Sequence, residues 1–252
     1  MPELRVAIDP CNPGQFYACC GLIELLDLAG TYTLSRFYMD RYHPREAEFV
    51  VESERGLDLD FIASAIKQAT FTPASVDKPP YKDSIAPVSV SVLNHDLDLD
   101  WWLNEFRDQA TPLKCWAGQV TTQKLTSELP KLLPTAGVSF DGDGFTSTRF
   151  GIDPRSAWVA LDLGYSPNEQ GQESRTYPIV ELLAAFGLQG FRPTGSRAQG
   201  FTYALWLEPL PRIVARSAGV RPWEGLPAAQ YGFKLGVRGS YKFFCFANPI
   251  LV

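Results

Sequence analysis

The residues whose chemistry is most evident are the lysines and arginines in the C-terminal quarter of the chain. Residues 186–252 carry eight Lys/Arg and two Asp/Glu, although the whole chain has a net charge of −5. Aromatic side chains alternate with these cations. Cationic side chains neutralise phosphates, and aromatic rings stack on bases. The pattern indicates a surface that faces a polyanion; in the alternative interpretation the aromatics are core and the cations form its solvated rim.

Four arginines of this region are candidates for phosphate contact because of where they lie. Arg212 and Arg216 are i,i+4 on a predicted helix, so they project from one face. Arg192 and Arg197 belong to the segment RPTGSRAQG. Its composition predicts a flexible loop that can enter a groove.

Three further candidates for nucleic-acid contact lie in the segment KLGVRGSYK. Lys234, Arg238 and Lys242 have even spacings, so they share one face if the strand runs unbroken. Gly236 and Gly239 either interrupt that strand or let a phosphate backbone come close.

Asn12 and Gln15 complete the candidate nucleic-acid contacts. They flank Pro13-Gly14 at the start of a predicted helix. Their amide groups can read base edges or cap the helix, and the position before a helical proline favours capping.

Motifs that would support catalysis are absent from the sequence. There is no phosphate loop, nucleophile elbow, HExxH zinc motif or dinucleotide fingerprint, and the two histidines, His43 and His95, read as turn residues. Asp96, Asp98 and Asp100 lack the glycine and final glutamate of a calcium loop and are interpreted as a solvated strand face. We therefore predict no catalytic residue, metal site or cofactor; a metal nuclease assembled from scattered carboxylates is the enzymatic alternative.

The predicted helices and strands that carry these residues indicate an α+β fold. The chain reads as one domain, with two possible lobes at 1–135 and 136–252. Hydrophobic periodicity and turn residues place the elements as follows. Strands are predicted at 4–9, 32–39, 47–52, 88–93, 201–207 and twice within 229–246; helices at 15–28, 58–69, 113–134, 179–188 and 211–218; a hairpin at 137–151; and loops at 72–87 and 165–177.

The cysteines and the N-terminal segment indicate a cytoplasmic protein. Five cysteines without paired CxxC spacing fit neither a disulfide framework nor a zinc ribbon. The sequence has no signal-peptide pattern and no apolar run long enough for a membrane span.

Several segments together resemble one protein family. They are NPGQFYACCGLIELLD (12–27), LKCWAGQ (113–119), FGIDPRSAWVALDLGYSPNEQ (150–170), ELLAAFGLQGFRP (181–193), FTYALWLEPLPRIVARSAG (201–219) and YGFKLGVRGSYKFFCFANP (231–249). In this order they resemble the CRISPR-associated proteins once grouped in the Csb series, regarded as the diverged large subunit of type I-U (I-G) Cascade-like interference complexes.

The resemblance implies a non-catalytic antiviral-defence subunit. Its expected partners are the CRISPR guide RNA, the target double-stranded DNA, the repeated backbone subunit, the guide-end subunit and a recruited helicase-nuclease. The large subunit is expected to engage target DNA and help recognise the protospacer-adjacent motif, while guide pairing reads the sequence. Two other roles stay open: a backbone or guide-RNA-end subunit, and a purely structural bridge.

Overall fold

A pair of buried helices lies at the centre of the fold, which a computed structural model describes for residues 1–39, 46–74, 83–105, 109–157 and 175–250. Helix α1 spans Pro13–Leu28 and α4 spans Pro178–Gly190. Each begins with proline, whose fixed φ suits the first helical position. Nearly every residue of α4 is buried, which is typical of a helix enclosed by the core.

The two helices cross at glycines. An added Cβ on Gly21 would lie 1.9 Å from the Leu183 carbonyl oxygen, and one on Gly187 would lie 2.0 Å from the Tyr17 carbonyl oxygen. Backbone therefore packs directly on backbone, an approach that only glycine permits.

The first sheet is antiparallel and covers one side of this pair. It contains β1 (Glu3–Ile8), β2 (Thr33–Met39), β3 (Ala47–Ser53) and β11 (Leu210–Pro211), in the order β1-β3-β2-β11. Because β11 comes from the C-terminal half of the chain, this sheet draws on both halves of the sequence.

A second antiparallel sheet has the order β15-β12-β10-β9. Phe16 of α1 joins the two sheets: its ring centroid lies 5.7 Å from that of Phe37 in β2 and 4.4 Å from that of Tyr203 in β10. Trp206 Nε1 also donates to the Ser35 carbonyl at 2.7 Å. The strands are β9 (Thr194–Ser196), β10 (Gly200–Trp206), β12 (Ala228–Phe233) and β15 (Asn248–Pro249).

The remaining elements pack around this core. Trp101, Trp102 and Trp116 form an edge-to-face cluster there. The elements are helices α2 (Leu59–Gln68), α3 (Thr122–Glu128) and α5 (Arg212–Val220); the sheet of β4 (Thr70–Pro73), β5 (Val88–Val92) and β6 (His95–Leu99); the pair β7 (Gly144–Phe145) and β8 (Arg175–Thr176); and the hairpin of β13 (Leu235–Arg238) and β14 (Tyr241–Phe244). Within the described ranges no helix is both long and apolar enough to cross a membrane.

The predicted α+β class is confirmed, and most predicted elements agree with the structure to within a few residues. Asp58 caps α2 as expected, accepting from the Phe61 N–H at 2.8 Å. Asp96 and Asp98 lie exposed on β6, and the five cysteines are free thiols. His43, the 75–82 part of the first loop and the 165–174 part of the second lie outside the described residues, and the division into lobes stays a prediction.

Two element predictions are wrong. The helix predicted over 113–134 begins only at Thr122, because the backbone before it bonds elsewhere: the Cys115 carbonyl accepts from the Lys242 N–H at 2.8 Å. The hairpin predicted over 137–151 does not form. Its first residues are held by Asp60, which accepts from the N–H groups of Gly137 and Val138 at 3.0 and 2.7 Å, while β7 pairs with β8.

We expect the substitution Gly187→Ala to lower the free energy of unfolding by about 3 kcal/mol or more, because the methyl group must push α1 and α4 apart. Chemical denaturation of the purified chain measures this. Gly118→Ala is the control, since nothing lies within 4 Å of a Cβ at that site. Equal stability of the two variants would contradict the close crossing.

Candidate nucleic-acid interface

The two α5 arginines share a face as predicted, but that face meets α1. Arg212 Nη1 lies 3.0 Å from Glu24 Oε2, and Arg216 Nε lies 2.6 Å from Glu24 Oε1. Arg212 Nη2 also lies 2.9 Å from Asp27 Oδ2. The carboxylates raise the pKa of Arg216, chiefly through its hydrogen bonds to Glu24. Carboxylates of the same chain already neutralise both arginines, which clamp α5 to α1, and this pairing disfavours the predicted phosphate contact.

The other candidates of the C-terminal quarter lie in different surroundings. Arg192 pairs with Asp100 at 2.8 Å. The predicted flexible loop is instead the β9–β10 hairpin, with Arg197 exposed at its tip. Lys234 is exposed between β12 and β13. Arg197 and Lys234 are therefore accessible to a polyanion.

Most of the alternating aromatics are core, as the alternative interpretation held. Positions 191–241 contain eight aromatic residues. The exposed fraction is 4% or less for six of them, so these six cannot stack on bases. Trp223 is 46% exposed, and Tyr241 is half-buried in the hairpin. The buried six are Phe191, Phe201, Tyr203, Trp206, Tyr231 and Phe233.

Of the two alternatives for the segment KLGVRGSYK, the structure shows the interrupted strand, which folds back as the β13–β14 hairpin. The chain reverses at Gly239 and Ser240, and Gly239 has φ +57°. Arg238 is opposite Tyr241 and Val237 is opposite Lys242, and cross-strand partners share a face. Arg238 and Lys242 therefore project from opposite faces of the hairpin.

On one face of the hairpin, Arg238 approaches a buried arginine. The exposed fraction of Arg149 is 6%, and its Nη1 finds no hydrogen-bond partner among the residues that the structure describes. Burial lowers the pKa of Arg149, an effect that Glu181 opposes. Burial, and then repulsion by Arg149, lowers the pKa of Arg238. The two guanidinium groups thus form a like-charge pair.

The other face of the hairpin holds a second like-charge pair, Lys242 and Lys114. Burial, and then repulsion by Lys242, lowers the pKa of Lys114 to about 8. Its Nζ donates to the Trp116 carbonyl and lies 5.1 Å from a Trp116 ring centroid. We name Lys114, Arg149, Arg238 and Lys242 the hairpin basic cluster.

The cluster is fixed to the helix pair through Gly151. The Phe244 N–H donates to the Gly151 carbonyl at 3.0 Å, and the N–H groups of Gly151 and Asp153 each donate to the Glu181 carboxylate at 3.0 Å. Burial raises the pKa of Glu181 to about 7, although the N–H groups of Asp153 and Ile152 and the charge of Arg149 oppose that shift. Glu181 lies in the first turn of α4, so the hairpin is positioned by the buried core.

Asn12 adopts the capping role that its sequence position favours. Its Oδ1 accepts from the Gln15 N–H at 3.1 Å and its Nδ2 donates to Asp153 at 3.0 Å. Asn12 is fully buried, so it cannot reach a base edge. Gln15 is 4% exposed and accepts from the Asp9 N–H at 2.7 Å. These two residues therefore do not join the hairpin basic cluster.

Sequence reasoning missed Lys114 and Arg149. They lie in residues 101–185, which carry seven Lys/Arg against ten Asp/Glu, so the charge count there is acidic. The only signal was their position in or beside segments of the family resemblance. Charge counted along the chain cannot identify cations that come together only through folding.

The described part of the chain contains no group of three or more His, Cys, Asp or Glu side chains that would hold a metal ion. Comparison with protein-family models, curated proteins and solved structures finds no match to this chain.

We expect Glu24→Gln to lower the free energy of unfolding by about 1–2 kcal/mol, because two part-buried arginines lose their common carboxylate. Thermal or chemical denaturation measures this. The control is Glu128→Gln, which removes only an exposed i,i+4 pair with Lys124 at 3.9 Å. If the control costs as much as Glu24→Gln, the α5 arginines are not a clamp.

Proposed function

We propose that this chain is a non-catalytic, large-subunit-like component of a type I-U (I-G) CRISPR RNA-guided interference complex acting in the cytoplasm. In this role the β13–β14 hairpin contacts phosphates of target DNA beside the guide RNA, through the cluster cations on its two faces. The role also includes helping to recognise the protospacer-adjacent motif. Arg197, exposed at the tip of the β9–β10 hairpin, is the candidate for entering a DNA groove there.

One observation carries the proposal: the hairpin basic cluster holds two like-charge pairs at a cost to the folded chain. Burial and mutual repulsion lower the pKa of Lys114 and of Arg238. The Nη1 of Arg149 is buried without a partner in the described ranges. Bound phosphates would relieve the repulsion within the two pairs.

The segments that carry the family resemblance add support because several meet at this cluster. Lys114 belongs to LKCWAGQ, while Arg238 and Lys242 belong to YGFKLGVRGSYKFFCFANP. Gly151, which anchors β14, belongs to a third segment, and Glu181 to a fourth.

The first test of this function is target binding by the guide-loaded complex assembled with Arg238→Gln/Lys242→Gln. We expect the affinity for duplex target to fall about tenfold, and the slope of log affinity against log salt to decrease by about one per lost phosphate contact. Binding to duplexes with varied flanking sequence, at several salt concentrations, measures both quantities.

Lys124→Gln is the matched control, because it removes an exposed charge on α3 outside the cluster. An assembled complex with wild-type affinity and salt slope would reject the DNA-binding role of the hairpin. Weaker retention of guide RNA, with unchanged DNA affinity of the complexes that keep their guide, would instead assign the chain to the guide end.

The lowered pKa of Lys114 gives a pH prediction. Lys114 loses its charge as pH rises through about 8, so DNA affinity should fall about threefold or more between pH 7 and pH 9. Lys114→Arg keeps its charge over this range and should reduce the loss. Folding stability should instead rise with pH. The repulsion on charged Lys114 is present below pH 8, and it disappears as pH rises from about 8 toward the pKa that this lysine has in the unfolded chain. Identical pH profiles for the two proteins would exclude Lys114 as a phosphate contact.

A further inference from the structure

Strand β1 is the open edge of the first sheet in the described part of the chain. It pairs only with β3, in a register that places Leu4 opposite Val51 and Ala7 opposite Glu48. The Ser53 N–H donates to the Pro2 carbonyl at 3.0 Å, so Pro2 is a hydrogen-bonded position of the β1–β3 ladder, and every second residue after it is one as well. The backbone groups of Leu4, Val6 and Ile8 then face β3, while those of Arg5 and Ala7 point outward. Such an edge can accept a further strand.

A groove follows this open edge. A cavity of about 360 Å³ is lined by residues 4–7 on one side and 137–141 on the other. It adjoins a larger cavity of about 680 Å³ at the end of β1, lined by Asp9, Gln15 and Tyr38 among others. Ala7 and Asp141 line both cavities, so the two form one groove. We name it the β1-edge groove.

The groove carries a net negative charge. Its cations, Arg5 and Arg155, are already paired: Arg5 with Glu3 and Glu48 at 2.7 and 2.9 Å, and Arg155 with the buried Asp153 at 2.7 Å and with Asp141 at 2.9 Å. Repulsion excludes a phosphate backbone here and favours a cation. The lining carboxylates are Asp9, Glu46, Glu48, Asp58, Asp60 and Asp141.

Gln15 adds a requirement for a hydrogen-bond acceptor. It is 4% exposed, and its Oε1 is fixed by the Asp9 N–H at 2.7 Å. Gln15 lines the larger cavity, and no hydrogen bond among the described residues uses its NH₂ group, so this group can donate to a ligand in the cavity. A metal ion cannot accept such a bond, and the described residues hold no metal-binding cluster. A peptide carbonyl does accept one.

We propose that the β1-edge groove binds an extended, basic peptide segment of a partner protein. The segment adds to β1 as a strand, its arginine or lysine side chains meet the carboxylates, and a carbonyl accepts from the Gln15 NH₂ group. Main-chain pairing supplies affinity, and the acidic lining selects basic sequences. This interaction is independent of DNA binding by the hairpin basic cluster.

The test uses the full chain and a fluorescein-labelled peptide of about seven residues in which arginine alternates with threonine, long enough to span β1. Fluorescence anisotropy should give saturable binding that weakens with salt. The same peptide with glutamate in place of arginine should not bind at about 1 mM.

Two kinds of variant separate main-chain pairing from charge. Ala7→Pro removes an outward N–H without removing a β1–β3 hydrogen bond, and should weaken binding about tenfold, whereas Ala7→Ser should not. Glu46→Gln/Asp141→Asn should also weaken binding about tenfold, with Glu128→Gln as the control. Thermal melting checks that each variant is folded, and Arg238→Gln/Lys242→Gln should bind the peptide like wild type.

Three results would overturn the proposal. The first is the absence of saturable binding of the arginine peptide at about 1 mM. The second is equal affinity of wild type, folded Ala7→Pro and folded Glu46→Gln/Asp141→Asn, which places the peptide elsewhere. The third is a wild-type dimer that Ala7→Pro converts to monomer, which makes a second copy of this chain the occupant.

Discussion

Gly21 and Gly187 let α1 and α4 approach until a side-chain carbon on either glycine would meet the backbone of the other helix. This contact determines the positions of the surrounding elements. The first turn of α4 places Glu181 where it accepts the N–H groups of residues 151–153. The start of α1 places Asn12 against Asp153. Both proposed binding surfaces are therefore built outward from one close helix crossing.

The two surfaces differ in the sign and the pairing of their charges. In the hairpin basic cluster, like charges are held together, and Lys114 and Arg149 are desolvated. In the β1-edge groove, carboxylates outnumber the cations, which are already paired. A net charge of −5 describes neither surface. A subunit that holds a polyanion on one surface and a basic protein segment on another would need this separation.

Local patterns in the sequence were sufficient to predict a helix or a cap wherever the interactions that form it are local. The apolar periodicity of α1, the Asn12 cap before Pro13 and the Asp58 cap of α2 were all predictable. The α+β class followed from the order of such elements. The segment 113–121 was not predictable in this way, because its backbone bonds to distant residues instead of forming its own helix.

The sequence by itself determined most element types, the basic C-terminal quarter and the lack of catalytic motifs. Only the tertiary structure decided which cations stay available. Arg212 and Arg216 meet Glu24, whereas Lys242 meets Lys114, and no spacing along the chain distinguishes the two cases. Whether a charge is neutralised depends on partners within a few ångströms in space, and these partners lie more than one hundred residues away in sequence.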